Sequence, residues 1–115
     1  MAAAERRPRT EDPVACCGSV RADLLPAGDA ELLARSFAAL ADPVRLRLLS
    51  MVASAAGGEV RACDLVAVSG RSQPTVSHHM KVLIDAGIVT RDKRGLWAWY
   101  RIVPTRLDAL RTVLG

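Results

Sequence analysis

The sequence is poor in aromatic residues and has no long apolar run. Its 115 residues include only two Trp, one Tyr and one Phe, so a core must consist mainly of aliphatic side chains, which favours packed helices. No segment approaches the ~20 apolar residues that span a bilayer. The charged start, MAAAERRPRTEDP, lacks the apolar core of a signal peptide. We therefore expect a cytoplasmic protein with no membrane partner.

Cysteine is also scarce, and no Cys-x-x-Cys motif is present. The three cysteines are Cys16, Cys17 and Cys63, and an odd number argues against a disulfide framework. Adjacent cysteines are poor disulfide partners because the ring that they would close is strained. No phosphate-cradling loop or acid–base constellation accompanies the thiols. The sequence thus predicts a protein that is not an enzyme and needs no enzymatic cofactor.

The N-terminal quarter of the chain differs in composition from the rest. Residues 1–27 hold three prolines and clustered charge, without a sustained apolar period of 3.6 residues. Residues 28–115 suit one compact domain and contain no internal repeat. We expect a flexible arm over residues 1–27, which carries Cys16 and Cys17, and a single folded domain over residues 28–115.

Apolar spacing and capping residues predict two helices at the start of this domain. The first begins near Asp29 and has apolar residues at i, i+4 and i+7, which are Leu33, Phe37 and Leu40. Asp42 followed by Pro43 is typical of an N-cap and a first helical position. A second helix should therefore start there and end at residues 57–58, which are both glycine.

A short helix, a glycine-bearing turn and a longer helix are predicted next. The short helix covers about residues 61–68, and Ser69-Gly70-Arg71 forms the turn. Ser72 is a suitable N-cap for the longer helix, and Gly87 is suitable for its end. The apolar side of that helix comprises Val76, Met80, Leu83 and Ile84. This order is typical of a helix-turn-helix.

Two β-rich runs and a last helix complete the predicted domain. Residues 88–92 and 96–103 favour strands, and Lys93-Arg94-Gly95 between them favours a tight hairpin. Pro104 opens a helix whose expected apolar face comprises Leu107, Leu110 and Leu114. The predicted fold class is mainly α with a small β-hairpin wing, a winged helix-turn-helix.

The polar residues of this arrangement predict binding to double-stranded DNA. The net charge of +4 suits a polyanion partner but is also common in soluble domains. The outward residues of the longer helix are short enough for the major groove, and comprise Gln73, Thr75, Ser77 and His78. Lys81 is placed for a phosphate, and Lys93 and Arg94 for the backbone or minor groove. For the longer helix alone, the alternative is a solvated surface helix, and a hairpin tip is usually polar in any protein. The order and spacing of the two elements together favour DNA binding.

His78 and His79 raise the question of a metal site. Consecutive residues on a helix point ~100° apart, so the two rings are poorly placed to share one ion. We interpret His78 as facing the groove and His79 as a residue at the edge of the apolar side.

Three stretches resemble the ArsR/SmtB family of metal-sensing repressors. Residues 41–49 (ADPVRLRLL) are similar to its second helix, residues 72–83 (SQPTVSHHMKVL) to its recognition helix, and residues 87–89 and 95–102 to its wing. The resemblance covers roughly residues 30–112. It implies a homodimer built largely from the first and last helices, repression of operator DNA without inducer, and a ligand that lowers operator affinity.

The resemblance also locates a sensing position. Residues 60–65 (VRACDL) resemble the arsenic-sensing motif at the start of the third helix, which in many members carries two or three cysteines. Only Cys63 matches; Arg61 and Val66 occupy the other cysteine positions, so this helix alone cannot supply a complete site. The last helix has no histidine, which removes the zinc site that other members build there.

Together the three cysteines suit a trivalent arsenic inducer. As(III) prefers three thiolates, and Cys16, Cys17 and Cys63 match that demand in number and softness. We expect arsenite to draw the arm onto Cys63, to shift the helix-turn-helix and so to release DNA. The extended arm could reach either subunit. Sb(III), Cd(II), Pb(II) or an oxidant acting on the thiols remain alternative signals.

Overall fold

The computed structural model describes residues 19–115, and five helices and three strands follow one another in that part of the chain. They are α1 (Ala27–Leu40), α2 (Pro43–Ser54), β1 (Glu59–Arg61), α3 (Ala62–Ser69), α4 (Gln73–Asp85), β2 (Val89–Arg94), β3 (Trp97–Ile102) and α5 (Pro104–Leu114). The helix-turn-helix and the hairpin confirm the predicted winged helix-turn-helix. Over residues 19–115, no helix is long and apolar enough to cross a membrane.

The predicted starts of α2 and α4 are confirmed by their capping bonds. The Asp42 carboxylate accepts hydrogen bonds from the amides of Val44 and Arg45 at 2.8 and 3.1 Å. The bond from the Arg45 amide is the main cause of the lowered pKa of Asp42. At α4, the Ser72 hydroxyl accepts from the amide of Thr75 at 3.3 Å. Each cap satisfies amides that the first turn leaves without a partner.

The turn between α3 and α4 depends on a glycine. Gly70 has φ +72°, a left-handed conformation that costs other residues energy. The Ser69 hydroxyl supports the turn because it donates to the Val66 carbonyl at 2.9 Å and accepts from the amide of Arg71 at 3.1 Å. The position of α4 relative to α3 is therefore set by local hydrogen bonds as well as by packing.

The sheet contains a strand that the sequence did not predict. After α2 a short 3-10 turn (Ala56–Gly58) leads into β1, which pairs antiparallel with β3, so the strand order is β1-β3-β2. β2 and β3 each differ from their predicted bounds by one or two residues. Arg94 pairs with Trp97, so the loop consists of Gly95 and Leu96. Lys93 and Arg94, expected at the tip, are the last two residues of β2.

The main core joins α2, α3 and α4 to the sheet. Val76, Met80 and Leu83 of α4 are buried, which confirms its predicted apolar side. They pack with residues of the neighbouring elements, namely Ala39, Leu48, Val52, Leu65, Ile88, Val89 and Tyr100. Because this side of α4 is packed in the core, the polar side of the helix faces solvent.

A second, smaller cluster joins α1 to α5. It contains Leu33, Leu110 and Val113, with Leu25 and Phe37 packed against it. The prediction that Leu114 lies on the apolar face of α5 is wrong within this chain, since its side chain is 59% exposed and Val113 is buried instead. Leu110 is buried as predicted, and the buried face of α5 continues to Val113 at i+3 from it, not to Leu114 at i+4.

The segment before α1 also touches α5. The amide of Val20 donates to the Val113 carbonyl at 2.8 Å, and α1 begins at Ala27, two residues before its predicted start. Residues 19–26 belong to the range that we expect to be an arm, and these contacts connect that part of it to the last helix.

Candidate nucleic-acid interface and sensing cysteine

The outer face of α4 presents polar side chains to solvent. Gln73, Ser77, His78 and Lys81 are exposed, as predicted, whereas Thr75 is half-buried. The Thr75 hydroxyl accepts a hydrogen bond from Ser72 at 2.9 Å and so contributes to the cap. Lys81 lies 3.2 Å from Asp85. Because this ion pair is exposed, a phosphate can replace Asp85 as the partner of Lys81 at little cost in free energy.

A cleft of about 760 Å³ lies between α3, α4 and the β2–β3 hairpin. Gln73, Ser77 and Lys81 line it from α4, Arg91 and Trp97 line it from the hairpin, and Cys63 lines it from α3. The cleft therefore brings Cys63, the predicted sensing residue, and three of the predicted DNA-contacting residues to one surface.

Arg94 is held against the sheet rather than extended from the tip. Its guanidinium donates to both Glu59 oxygens, at 2.7 and 3.2 Å, and lies 4.9 Å from the centre of the Trp99 ring. The hydrogen bond from Arg94 lowers the pKa of Glu59, and the same bond raises the pKa of Arg94. Because Glu59 belongs to β1, this pair connects the hairpin to the strand that leads into α3.

The tip of the hairpin is apolar rather than basic. Leu96 is 87% exposed at the two-residue loop, and Lys93 is exposed on β2. Of the two basic residues predicted to contact DNA from the wing, Lys93 forms no ion pair with another residue of the range 19–115.

Cys63 is the second residue of α3, and its side chain is exposed. Arg61, directly before this helix, donates to Asp64 at 3.1 Å and stacks over Trp97 of the hairpin at 5.1 Å. The bond to Asp64 is the main cause of the raised pKa of Arg61, and the charge of Cys63 also contributes. The Arg61 side chain thus connects the first turn of α3 to the wing.

The other two predicted sulfur ligands, Cys16 and Cys17, lie outside the described residues. Among residues 19–115, no three His, Cys, Asp or Glu side chains come close enough to hold a metal ion. A three-thiolate site that includes Cys63 therefore requires thiols from residues 1–18 or from another copy of the chain.

The two histidines have different surroundings. His78 is exposed, and His79 is half-buried with its Nδ1 3.2 Å from Nη1 of Arg45. Their ring centres are 5.4 Å apart, at 62° to each other. His79 thus lies at the edge of the apolar side and contacts α2.

Sequence reasoning missed Glu59, Arg61 and Trp97 as parts of this site. The contacts that define their roles join residues far apart in the chain, such as Glu59 and Arg94. The two-residue spacing of Trp97 and Trp99 was a signal, because it places both side chains on one face of a strand.

Residues 42–91 match the arsR family of bacterial regulatory proteins. The chain is 36% identical over 96 residues to a Streptomyces lividans protein named "Probable mercury resistance operon repressor", and the match spans 84% of this chain and 74% of that one. The chain belongs to the arsR family. The family consists of DNA-binding regulators, so this member is a regulator and not an enzyme.

Two further ArsR relatives add detail. The "Arsenical resistance operon repressor" of Staphylococcus aureus is 44% identical over 69 residues, which span 60% of this chain and 64% of that protein. The homodimeric winged helix-turn-helix DNA-binding domain of a Mycobacterium bovis protein superposes with a TM-score of 0.63 at 27% identity, over 74% of each chain. This ArsR-family chain shares the winged helix-turn-helix fold of the M. bovis domain.

Proposed function

We propose that this ArsR-family protein is a homodimeric repressor that binds operator DNA and releases it when its thiols bind As(III). The exposure of Cys63 in the same cleft as the outer residues of α4 is the observation that carries this proposal. A ligand bound there lies beside the surface that we expect to contact DNA.

In the proposed complex, α4 enters the major groove. Gln73, Ser77 and His78 contact base edges or phosphates, and Thr75 supports the first turn while it lies next to the backbone. Lys81 exchanges Asp85 for a phosphate, and Lys93 contacts the backbone from the wing. Arg94 acts indirectly, because its pairing with Glu59 holds the wing beside α4.

The dimer of this proposal forms through α1 and α5. Leu24 and Leu114, at the edge of the small α1–α5 cluster, are 90% and 59% exposed, and apolar surface of this kind is covered in dimers. The homodimeric state of the M. bovis domain supports a homodimer for this chain. Two α4 helices must lie about 34 Å apart to read successive turns of DNA.

The proposed inducer site combines Cys63 with Cys16 and Cys17. Three thiolates suit a soft trivalent ion, and the S. aureus arsenical resistance repressor supports arsenic as the signal. Arsenite bound to Cys63 constrains the first turn of α3, and with it the helix-turn-helix. By linkage, operator DNA must weaken arsenite binding by the factor by which arsenite weakens DNA binding.

Anisotropy titrations with operator DNA test this proposal. Arsenite should lower the DNA affinity of the wild type, whereas Cys63→Ser, Cys16→Ser and Cys17→Ser should each bind DNA normally and fail to release it. Serine is close in size to cysteine, so normal DNA binding by these variants excludes a folding defect. Release by arsenite in all three variants would contradict the proposed site.

X-ray absorption provides a second test that does not depend on DNA. With arsenite bound, the spectrum should show three sulfur neighbours in the wild type and fewer in Cys16→Ser. A spectrum with oxygen neighbours in the wild type would exclude a three-thiolate site.

Mercury is the second candidate inducer. The S. lividans relative carries mercury resistance in its name and matches most of this chain, and Hg(II) also prefers thiolates. Competition between arsenite and Hg(II), followed by thiolate absorbance, separates the two. Antimonite, Cd(II), Pb(II) and peroxide belong in the same series, since each reacts with thiols.

A further inference from the structure

A small cavity lies between α2 and the turn that joins α3 to α4, and it shares no lining residue with the large cleft. It has a volume of about 90 Å³, and α2 lines it with four residues at i, i+3, i+4 and i+7. These residues are Val44, Arg47, Leu48 and Met51. Ser69 and Arg71 of the turn line the opposite side. Two arginines from separate elements therefore share one small cavity.

Neither arginine is neutralised within the described residues. No Asp or Glu of residues 19–115 forms an ion pair with Arg47 or Arg71, and neither guanidinium donates a hydrogen bond to that part of the chain. In contrast, carboxylates partner Arg45, Arg61, Arg94 and Arg101. The two arginines are exposed, so their charge is available to an external anion.

The turn holds Arg71 in a defined place. Its amide donates to the Ser69 hydroxyl at 3.1 Å, and Gly70 before it has the left-handed conformation. Arg71 precedes Ser72, the N-cap of α4, where the helix dipole adds a partial positive charge. The cavity therefore lies at the end of α4 that enters the major groove in our proposal.

We propose that Arg47 and Arg71 together bind one phosphate of the DNA backbone. Guanidinium groups recognise phosphate through paired N–H donors. Contacts of this type fix the register of a recognition helix without reading sequence. This inference rests on the proposed DNA binding, and it adds a phosphate site to the predicted contacts of α4 and the wing.

The salt dependence of DNA affinity tests the site. Anisotropy is measured from about 50 to about 200 mM salt, with a duplex that the wild type selects from a random pool and with an unrelated duplex of equal length. Arg47→Gln and Arg71→Gln should each reduce the slope of log affinity against log salt by about 1. Affinity should fall about five- to tenfold near 0.1 M salt, equally for both duplexes.

Matched variants separate this effect from a loss of structure. Arg35→Gln removes the same charge from the exposed surface of α1; with sedimentation showing that this variant is still a dimer, it should leave the slope unchanged. Arg71→Lys should keep the slope, because the charge remains. Thermal unfolding should show that Arg71→Gln, in an exposed turn, keeps the wild-type stability; if Arg47→Gln unfolds, Arg71→Gln and Arg71→Lys still decide the question.

Three outcomes would overturn the inference. Wild-type slopes in both glutamine variants would exclude a phosphate contact here, while intact operator binding would leave the proposed function standing. Inorganic phosphate that saturably shifts the amide resonances of Arg71 and Ser72, without any change in slope, would indicate a site for free anions. A wild type that selects no duplex from the pool and does not bind the unrelated one would reject the proposed function and this site together.

Discussion

The two hydrophobic clusters differ in how completely this single chain buries them from solvent. The main core draws buried residues from six elements between α1 and β3. The small cluster has only Leu33, Leu110 and Val113 buried between α1 and α5, and Leu24 and Leu114 beside it face solvent. The comparison shows that α2, α3, α4 and the sheet enclose a core of their own, whereas the α1–α5 layer leaves apolar side chains exposed beside it, as the proposed dimer interface requires.

The largest effect is expected in the main core. Leu83→Ala removes a fully buried side chain of α4 and should lower the free energy of unfolding by about 2–5 kcal/mol. Urea unfolding measures it. Val68→Ala is the matched control, since Val68 is 68% exposed and its truncation should change stability by no more than about 0.5 kcal/mol. Equal losses in the two variants would contradict a core centred on α4.

The next largest effect should appear at the α1–α5 layer, and in assembly rather than folding. Leu114→Glu places a charge without a partner in the proposed apolar interface, and should raise the dimer dissociation constant at least about tenfold. Sedimentation measures it, with circular dichroism to show that the fold remains. Val68→Glu introduces the same charge on α3 and should leave the dimer intact. A wild type that is monomeric, or a dimer insensitive to Leu114→Glu, would break the comparison.

A smaller effect is expected at the start of α4. Ser72→Ala removes the hydroxyl that caps the helix and should cost about 1 kcal/mol of stability. DNA affinity should fall as well, because the first turn carries Gln73 and Thr75. Ser50→Ala changes an exposed serine of α2 and should alter neither. A Ser72→Ala protein with wild-type stability would show that the main core alone orders this turn.

The smallest effect concerns the outer face of the sheet, which neither cluster covers. The hydrogen bond from Arg94 lowers the pKa of Glu59 below its ordinary 4.5. The stabilisation is therefore complete above pH 4.5 and declines as the pH falls through the lower folded value. Glu59→Gln should lower the thermal midpoint by at most about 5 °C at neutral pH, and the difference from wild type should vanish in acid.

Tryptophan fluorescence measures the thermal unfolding of both proteins at each pH, since Trp99 lies against Arg94. Asp108→Asn is the control. Asp108 and Arg111 are 3.9 Å apart and both exposed, so the loss of this ion pair should leave the thermal midpoint unchanged at every pH. A Glu59→Gln difference that persists unchanged at low pH would exclude the carboxylate as its cause.

Local signals in the sequence predicted most of the fold. Asp42-Pro43, Ser72 and Gly70 act through their own neighbours, so the helix starts and the turn could be read directly. β1 could not, because three residues show no period and their strand conformation depends on pairing with β3. The choice of Val113 over Leu114 as the buried residue of α5 depends on the angle at which α5 meets α1, which no local pattern encodes.

The candidate site was predictable only in part. The exposed face of α4 follows from helical periodicity, whereas Cys63 was singled out only by the resemblance of residues 60–65 to the arsenic-sensing motif of the family. The pairing of Arg94 with Glu59 joins residues 35 apart in sequence. Arg94, expected to contact DNA from the hairpin tip, is therefore paired with β1 instead. The opposite holds for Arg47 and Arg71, whose shared cavity depends on how α2 packs against the turn.

Gly87 marks a place where α4, β2 and α5 meet. Its φ is +77°, and a Cβ there would lie 2.8 Å from the guanidinium of Arg106. Arg106, near the start of α5, also donates to the Ala86 carbonyl at the end of α4. Through Arg106, α5 is thus closely packed against the end of α4. If a second subunit tilts α5, either α4 moves with it or the contacts of Arg106 with Ala86 and Gly87 break.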